Sequence, residues 1–427
     1  MASATRTRPA TAAPSSATSG GSAAPGLRAR PGHFGPFRMQ QLVLIEIAAA
    51  LLLVAWVIDP LLLVPAVVAA ALLVLLAVVR RHRRSLPEWL TTVFALRARN
   101  RRAASLTLPA GTEPGLAPAV ECDPALRTYS YSDRDRRPVG MIGDGTFLTA
   151  VLQIESDATA LRPDRSARPL PIALIRDVLD VDGIRLESAQ IVQHTQPAPA
   201  PHLPQQSVAA RNYAPLQAQT GSPAIRITWI ALKLDPELCP EAVAARGGGL
   251  AGAQKCVVRS ADQLASRLTG AGFRTTVLTE QELTAAIAIS SCANPLAIAQ
   301  AGRTDTPGRR TKETSRTWRC DDRRHTTYWV GRWPQLGGDG AAMPQLVALL
   351  TSIPALATTF SLTLGRGERQ GVTVSGHVRI TGRSDEELVT SRHELERAAR
   401  GVKTGLVRLD REQLPGMLAT LPLGGTR

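Results

Sequence analysis

The sequence predicts a two-span transmembrane helical hairpin followed by a cytosolic α/β domain built on a mixed sheet. Three observations lead there. Some forty almost uninterrupted apolar residues run from Met39 to Val79. Arginines crowd both ends of that run and are missing from its middle. Beyond residue 120, stretches of strand period alternate with stretches of helical period.

Taken in order, residues 1–38 are mostly Ala, Ser, Thr, Pro, Gly and Arg, with too little to bury to offset the entropy of ordering, and read as a disordered basic tail. Residues 39–80 are the hairpin. A bilayer core of ~30 Å takes about 20 apolar residues in a helix, and Met39–Ile58 and Leu61–Val79 each come close to that length. Asp59-Pro60 supplies the break between them. A secretory signal peptide is the competing reading, but its apolar region would be ~7–15 residues, and here a second apolar stretch follows at once. Hydrophobicity alone inserts such a hairpin, so specific pairing must come from other features. The candidates are Glu46, at membrane depth in the first span, and the small-residue face Ala66, Ala69 and Ala70.

Residues 81–102 follow as an amphipathic juxtamembrane helix. Leu86, Trp89, Leu90, Val93 and Phe94 recur at helical spacing, with Arg97, Arg99, Arg101 and Arg102 behind them, a pattern suited to lipid headgroups or to a partner's helix. Leu86, Trp89, Val93 and Phe94 are its candidate contact residues. Arginines on both flanks and none at the tip place both termini in the cytosol of a multi-pass inner (plasma) membrane protein.

Residues 103–120 read as a Pro/Gly/Ala linker, and 121–427 as the cytosolic domain, with lobes at 121–195 and 223–427. Strands are expected at Arg127–Tyr131, Val139–Ile142 and Thr146–Ile154, the last two joined by Gly143-Asp144-Gly145. A short helix at Ile172–Leu179 and a strand at Ile184–His194 lead to a Pro/Gln/Ala loop over 196–222. Ala224–Leu234 alternates like a strand. Helices at Glu237–Arg246 and Ala253–Thr269, a strand at Phe273–Leu278 and a helix at Glu280–Ser291 follow. Residues 295–314 are polar and rich in breakers, and Ser315–Arg332 offers two strands. Then come a helix at Pro344–Ile353, a strand pair at Thr358–Leu364 and Val372–Thr381, a helix at Asp385–Arg400, a strand at Gly405–Leu409 and a last helix at Glu412–Thr420. No internal repeat is visible in the letters.

The net charge is +15, from 50 Lys+Arg against 35 Asp+Glu. It is concentrated at the N-terminal end, where residues 1–102 hold 13 basic and 3 acidic side chains. Aromatics are only 4 % of residues, and no basic stripe interleaved with stacking residues occurs, which argues against a nucleic-acid partner. Five widely spaced cysteines, without C-x-x-C or neighbouring histidine ligands, read as ordinary reduced thiols.

Few motifs carry chemistry. Gly247 to Gly252, "GGGLAG", matches the dinucleotide fingerprint in letters, but a helix precedes it where the fingerprint needs a strand. Asp180 and Asp182 form an Asp-x-Asp pair able to hold a divalent metal, and equally form an ordinary turn before Gly183. There is no Walker A lysine, no H-E-x-x-H and no G-x-S-x-G serine. The residues alone point to a membrane-anchored structural subunit without a cofactor.

Four segments in order resemble the EccE family of actinobacterial type VII (ESX) secretion systems: "RRHRRSLPEWL", "PVGMIGDGTFLTAVLQI", "ARGGGLAGAQ" and "DREQLPGMLATLPLGG". The resemblance implies a non-catalytic structural subunit of the inner-membrane core complex. Its implied partners are a multi-span channel subunit, a motor ATPase subunit, a periplasmic subunit and the lipid bilayer. It also implies a cytosolic domain similar to a degenerate glycosyltransferase, and offers no catalytic residues to carry over. The alternative is a membrane-anchored glycosyltransferase-like enzyme with a metal on Asp180 and Asp182.

Overall fold

Twelve strands form one sheet in the computed structural model, which describes residues 33–34, 37–59, 63–78, 80–81, 84–109, 111–133, 136–155, 169–196, 208, 211–212, 225–303, 308–334, 343–367 and 371–425. Most of the expected tail over 1–38, Pro60 at the expected reversal, and most of the loop over 196–222 lie outside these residues. The strands are β1 (Arg127–Ser132), β2 (Pro138–Gly143), β3 (Leu148–Glu155), β4 (Ser188–Gln196), β5 (Ile225–Leu234) and β6 (Arg274–Val277). They continue with β7 (Thr311–Glu313), β8 (Trp318–Cys320), β9 (Arg323–Arg332), β10 (Ala357–Arg366), β11 (Val372–Gly382) and β12 (Gly405–Arg408). Their order is β7-β8-β9-β11-β10-β4-β5-β3-β2-β1, with β12 beside β8 on β9 and β6 beside β2 on β3.

Every pairing in this sheet is antiparallel. The expected mixed sheet, and with it the degenerate glycosyltransferase-like architecture, is therefore corrected. Alternating strand and helix patterns suggested parallel neighbours; the helices α7 and α11 do join strands of like direction, β5 to β6 and β11 to β12, but an antiparallel strand, β3 or β9, lies between the two, so no neighbours are parallel.

The helices are α1 (Met39–Ile58), α2 (Leu63–Val78), α3 (Leu86–Ala104), α4 (Ala117–Cys122), α5 (Ile172–Asp177) and α6 (Pro240–Ala244). Then come α7 (Gly249–Gly270), α8 (Glu280–Ser290), α9 (Pro295–Ala301), α10 (Met343–Thr351), α11 (Asp385–Gly401) and α12 (Gln413–Leu418). Among the described residues no helix is long and apolar enough to cross a membrane, so the expected two-span hairpin is also corrected. α2 has 16 residues and reaches only ~24 Å, and the apolar part of α1 beyond Glu46 is shorter still, ~18 Å.

The topology contains a repeat that the letters hide. The first unit runs β1-β2-β3-α5-β4-β5-α7-β6-α8 and the second β7-β8-β9-α10-β10-β11-α11-β12-α12. Each embeds a strand-helix-strand-strand-helix-strand segment with strand order β6-β3-β5-β4 or β12-β9-β11-β10, the split βαβ arrangement. The units join where β4 pairs β10, from Ser188↔Gly365 to Thr195↔Thr358. β4 and β5, which lie on either side of the expected lobe boundary at 195/223, pair from Ser188↔Lys233 to Gln196↔Ile225.

Alternation along the strands builds two cores. On one face Leu152, Ile230, Leu232, Phe360, Leu362, Val378 and Ile380 pack beneath α5, α7, α10 and α11. On the other, Ile142, Val151, Val192, Trp229 and Trp318 meet α4, α8, α12 and the segment to Leu423. The capping box of Thr279 and Glu282 starts α8, and Gly140 makes room for it: a Cβ there would overlap the Glu280 backbone nitrogen.

Candidate functional site

The residues expected to contact partners are dispersed. Ala66 and Ala70 are buried, together with Ala48 and Ala55 of α1, where α1 and α2 pack, so their small side chains are spent inside the helix pair. Ala69 is half-buried, and Glu46 is exposed. The side chain of Leu86 lies outside the described residues. Val93 is half-buried, and Phe94 is 61 % exposed.

α3 has a partner within the chain itself. Arg99 grips Glu313 with two hydrogen bonds, Nε to Oε2 at 2.8 Å and Nη2 to Oε1 at 3.0 Å, and also donates to the Arg411 carbonyl at 2.5 Å. The guanidinium of Arg411 in turn lies 5.2 Å from the Trp89 ring. Sequence periodicity had put the arginines behind the apolar face. In a run of four arginines nothing marks Arg99 as the one that turns inward.

Asp180 and Asp182 sit on a tight two-stranded turn, and Asp182 takes the left-handed φ of 51°. The structure gives each an arginine: Arg366 Nη2 lies 3.4 Å from Asp180, and Arg259 Nε and Nη2 lie 2.9 and 2.8 Å from Asp182. Among the described residues no group of three or more His, Cys, Asp or Glu could hold a metal.

"GGGLAG" begins α7. Gly247, Gly248 and Gly249 all have positive φ, and Gly252 lets α7 approach the Val243 carbonyl. Beside this start lies a cavity of about 460 Å³, lined by Tyr129, Phe147, Pro236, Val243, Leu250 and Ala253 among others. The arrangement is a helix entry beside an apolar groove, without the preceding strand that a pyrophosphate site requires.

Sequence reasoning missed a buried polar row with an arginine in it. Directly across the sheet, on the face that carries α8 and α12, His194, Thr359, Arg379 and Thr327 lie side by side on β4, β10, β11 and β9. Arg379 is fully buried and donates to Thr359 Oγ1 at 3.1 Å, to the Ser290 carbonyl and to Met417 Sδ. Arg323, 3 % exposed, donates to the Cys292 carbonyl at 3.1 Å. Both guanidiniums thus face carbonyls at the C-terminal end of α8, where the helix dipole favours positive charge. Burial still pulls the Arg379 guanidinium down to about 10.

The neighbouring histidines are neutral. Gln196 Nε2 donates to His194 Nε2 at 3.0 Å, which leaves Nδ1–H to donate to Thr359 Oγ1 at 2.9 Å. Burial, then the charges of Arg379 and Arg323, push His194 down to about 3. Burial and the same two arginines hold His325 well below its usual value, and burial alone takes His377 down to about 4. A row this enclosed positions α8 rather than meeting a substrate. A polar run such as "HVRIT" reads from sequence as a solvated face, and only its central place in the sheet buries it.

Residues 222–330 match the family model described as "Putative type VII ESX secretion system translocon, EccE". The resemblance read from the sequence is borne out over that segment. It runs from the start of β5 to near the end of β9, crossing from one structural unit into the other. No curated protein matches the chain.

Proposed function

We infer that this chain, EccE-like over residues 222–330, is a non-catalytic structural subunit of a type VII secretion translocon. The family match is the observation that carries the reading. The site geometry supports it: the Asp-x-Asp carboxylates are paired with arginines, and the buried histidines and arginines serve packing. In this reading the partners are the other components of the system, namely the channel-forming, motor ATPase and periplasmic subunits.

Membrane association accompanies the assignment. Leu53, Trp56, Val57, Val64 and Val68 on α1 and α2 are each more than half exposed, and clustered apolar exposure of this kind marks contact with a membrane or another protein. Affinity purification in mild detergent, with mass spectrometry, should recover the other secretion components. Recovery of the chain alone across several detergents would overturn the reading. Asp180→Ala with Asp182→Ala should leave export intact, and loss of export by the folded double variant would restore an enzymatic role.

A further inference from the structure

The two ends of the sheet are finished differently. At the β7 end the carboxylate of Glu121 accepts the backbone N–H groups of Arg310 at 2.9 Å and Thr311 at 2.7 Å, so this edge is capped from within the chain. At the β1 end, among the described residues, no strand pairs with the outer side of β1.

The polarity of that free edge follows from its neighbour. Gly140 of β2 sends its N–H away from β1, to the Leu278 carbonyl, and Gly140 is the residue opposite Ser130. Ser130 therefore belongs to a pair that exchanges no hydrogen bonds, and its own N–H and carbonyl point outward, as do those of Thr128 and Ser132. Tyr129 and Tyr131 face the α7 side, where Tyr129 lines the 460 Å³ cavity beside the start of α7. A strand added about 4.8 Å outside β1 would set alternate side chains over that groove. The corresponding connection in the second unit is much shorter, since only Arg383-Ser384 joins β11 to α11, whereas residues 235–248 join β5 to α7 and wall the groove with Pro236 and Val243.

We propose that β1 and the adjoining groove bind an extended segment of a partner protein, which adds a strand to the sheet and places one large apolar side chain beside Tyr129 and Leu250. Charge selects among occupants. Exposed arginines stand near both ends of β1, Arg127 and Arg136. Antiparallel pairing with a second copy would bring the Arg127 end of each chain to the Arg136 end of the other, whereas acidic residues flanking a partner strand complement both. The inference stands on the edge and the groove and does not depend on the translocon assignment.

The test is selection of displayed short random peptides on the purified full chain and on Ser130→Pro. Proline at an outward-facing edge N–H costs no internal sheet bond but blocks an added strand. The wild type should enrich peptides of alternating pattern with one large apolar position and acidic flanks, and Ser130→Pro should recover about tenfold fewer or less. A thermal melt checks that the variant is folded. Should it fail to fold, Leu250→Lys, at a position 51 % exposed on the groove wall, carries the same expectation. Equal recovery on the folded variant, or no enrichment on the wild type, overturns the proposal. A dimer of the free chain that Ser130→Pro dissolves also overturns it, assigning the edge to a second copy.

Discussion

The two units share a strand order and differ in what lies on the α8 and α12 side of the sheet. In the first, that face is mostly apolar, with Ile142, Val151, Val192, Trp229 and Ala231 closed by α8, while its buried polar members Thr149, Gln190 and His194 bond to the segment 419–423 and to Thr359. In the second it is His325, Thr327, Thr359, Ser361, His377, Arg379 and Thr381, all buried. The same topology therefore tolerates a mostly apolar face in one unit and an almost wholly polar one in the other, provided the buried guanidiniums find acceptors. Arg379 and Arg323 find them in the carbonyls of Ser290 and Cys292 at the end of α8, whereas among the described residues neither ring nitrogen of His377 makes a hydrogen bond. The second unit's buried arginines thus depend on the first unit's helix.

Acid should break this arrangement most. His194, His325 and His377 have folded values below the unfolded 6.5, so as pH falls from 6.5 towards 4 the unfolded chain takes up protons that the folded one does not. Stability is complete above 6.5 and declines below it, by up to ~1.4 kcal/mol per pH unit for each histidine. Calorimetry at pH 7.5, 6 and 5 should show a falling Tm, and His377→Leu should flatten the fall. A Tm constant over that range would contradict the buried neutral imidazoles.

Next is Glu121→Ala, which uncaps the β7 edge and makes it resemble β1. Three hydrogen bonds to a 4 % exposed carboxylate disappear, from Arg310 N, Thr311 N and Thr311 Oγ1, at a cost of about 3–5 kcal/mol measurable by urea unfolding. Arg99→Ala should cost less, about 2–3 kcal/mol, because it leaves Glu313 with the Leu414 N–H bond at 3.0 Å. Amide exchange should then rise along α3 while the sheet stays protected. Phe94→Ser should change stability by under ~0.5 kcal/mol, since the ring is already in solvent. Any loss of assembly in that variant would report on a partner rather than on the fold.

Much of the chain was legible from periodicity. The alternation in "IRITWIALKL" gives β5, the turn at Gly143-Asp144-Gly145 gives the β2–β3 hairpin, and the amphipathic patterns give α7 and α11. α9 was hidden in a segment that breakers made look like loop, although Asn294 caps it and Pro295 starts it. Strand partners were not legible, since a period of two says which face a residue takes and nothing about its neighbour across the ladder. For the same reason the repeat escaped notice: a shared topology needs only matching patterns of burial, and "IRITWIALKL" of β5 shows no likeness in letters to "VTVSGHVRITG" of β11. Of the candidate contact residues, those on α1 to α3 were read from hydropathy, which cannot tell an alanine packed in a helix pair from one offered to a partner.

The seam between β4 and β10 has a consequence for synthesis of the chain. β4 ends at Gln196, and its partner strand begins at Ala357. At about 5–20 residues per second on the ribosome, β4 waits roughly ten to thirty seconds for β10. In that interval the first unit can assemble around β5, β3 and α7, yet it carries a nine-residue strand with one side unpaired. His194, Gln190 and Gln193 on that strand are the residues that keep so long a delay from exposing a purely apolar template, the usual seed of misassembly between nascent chains.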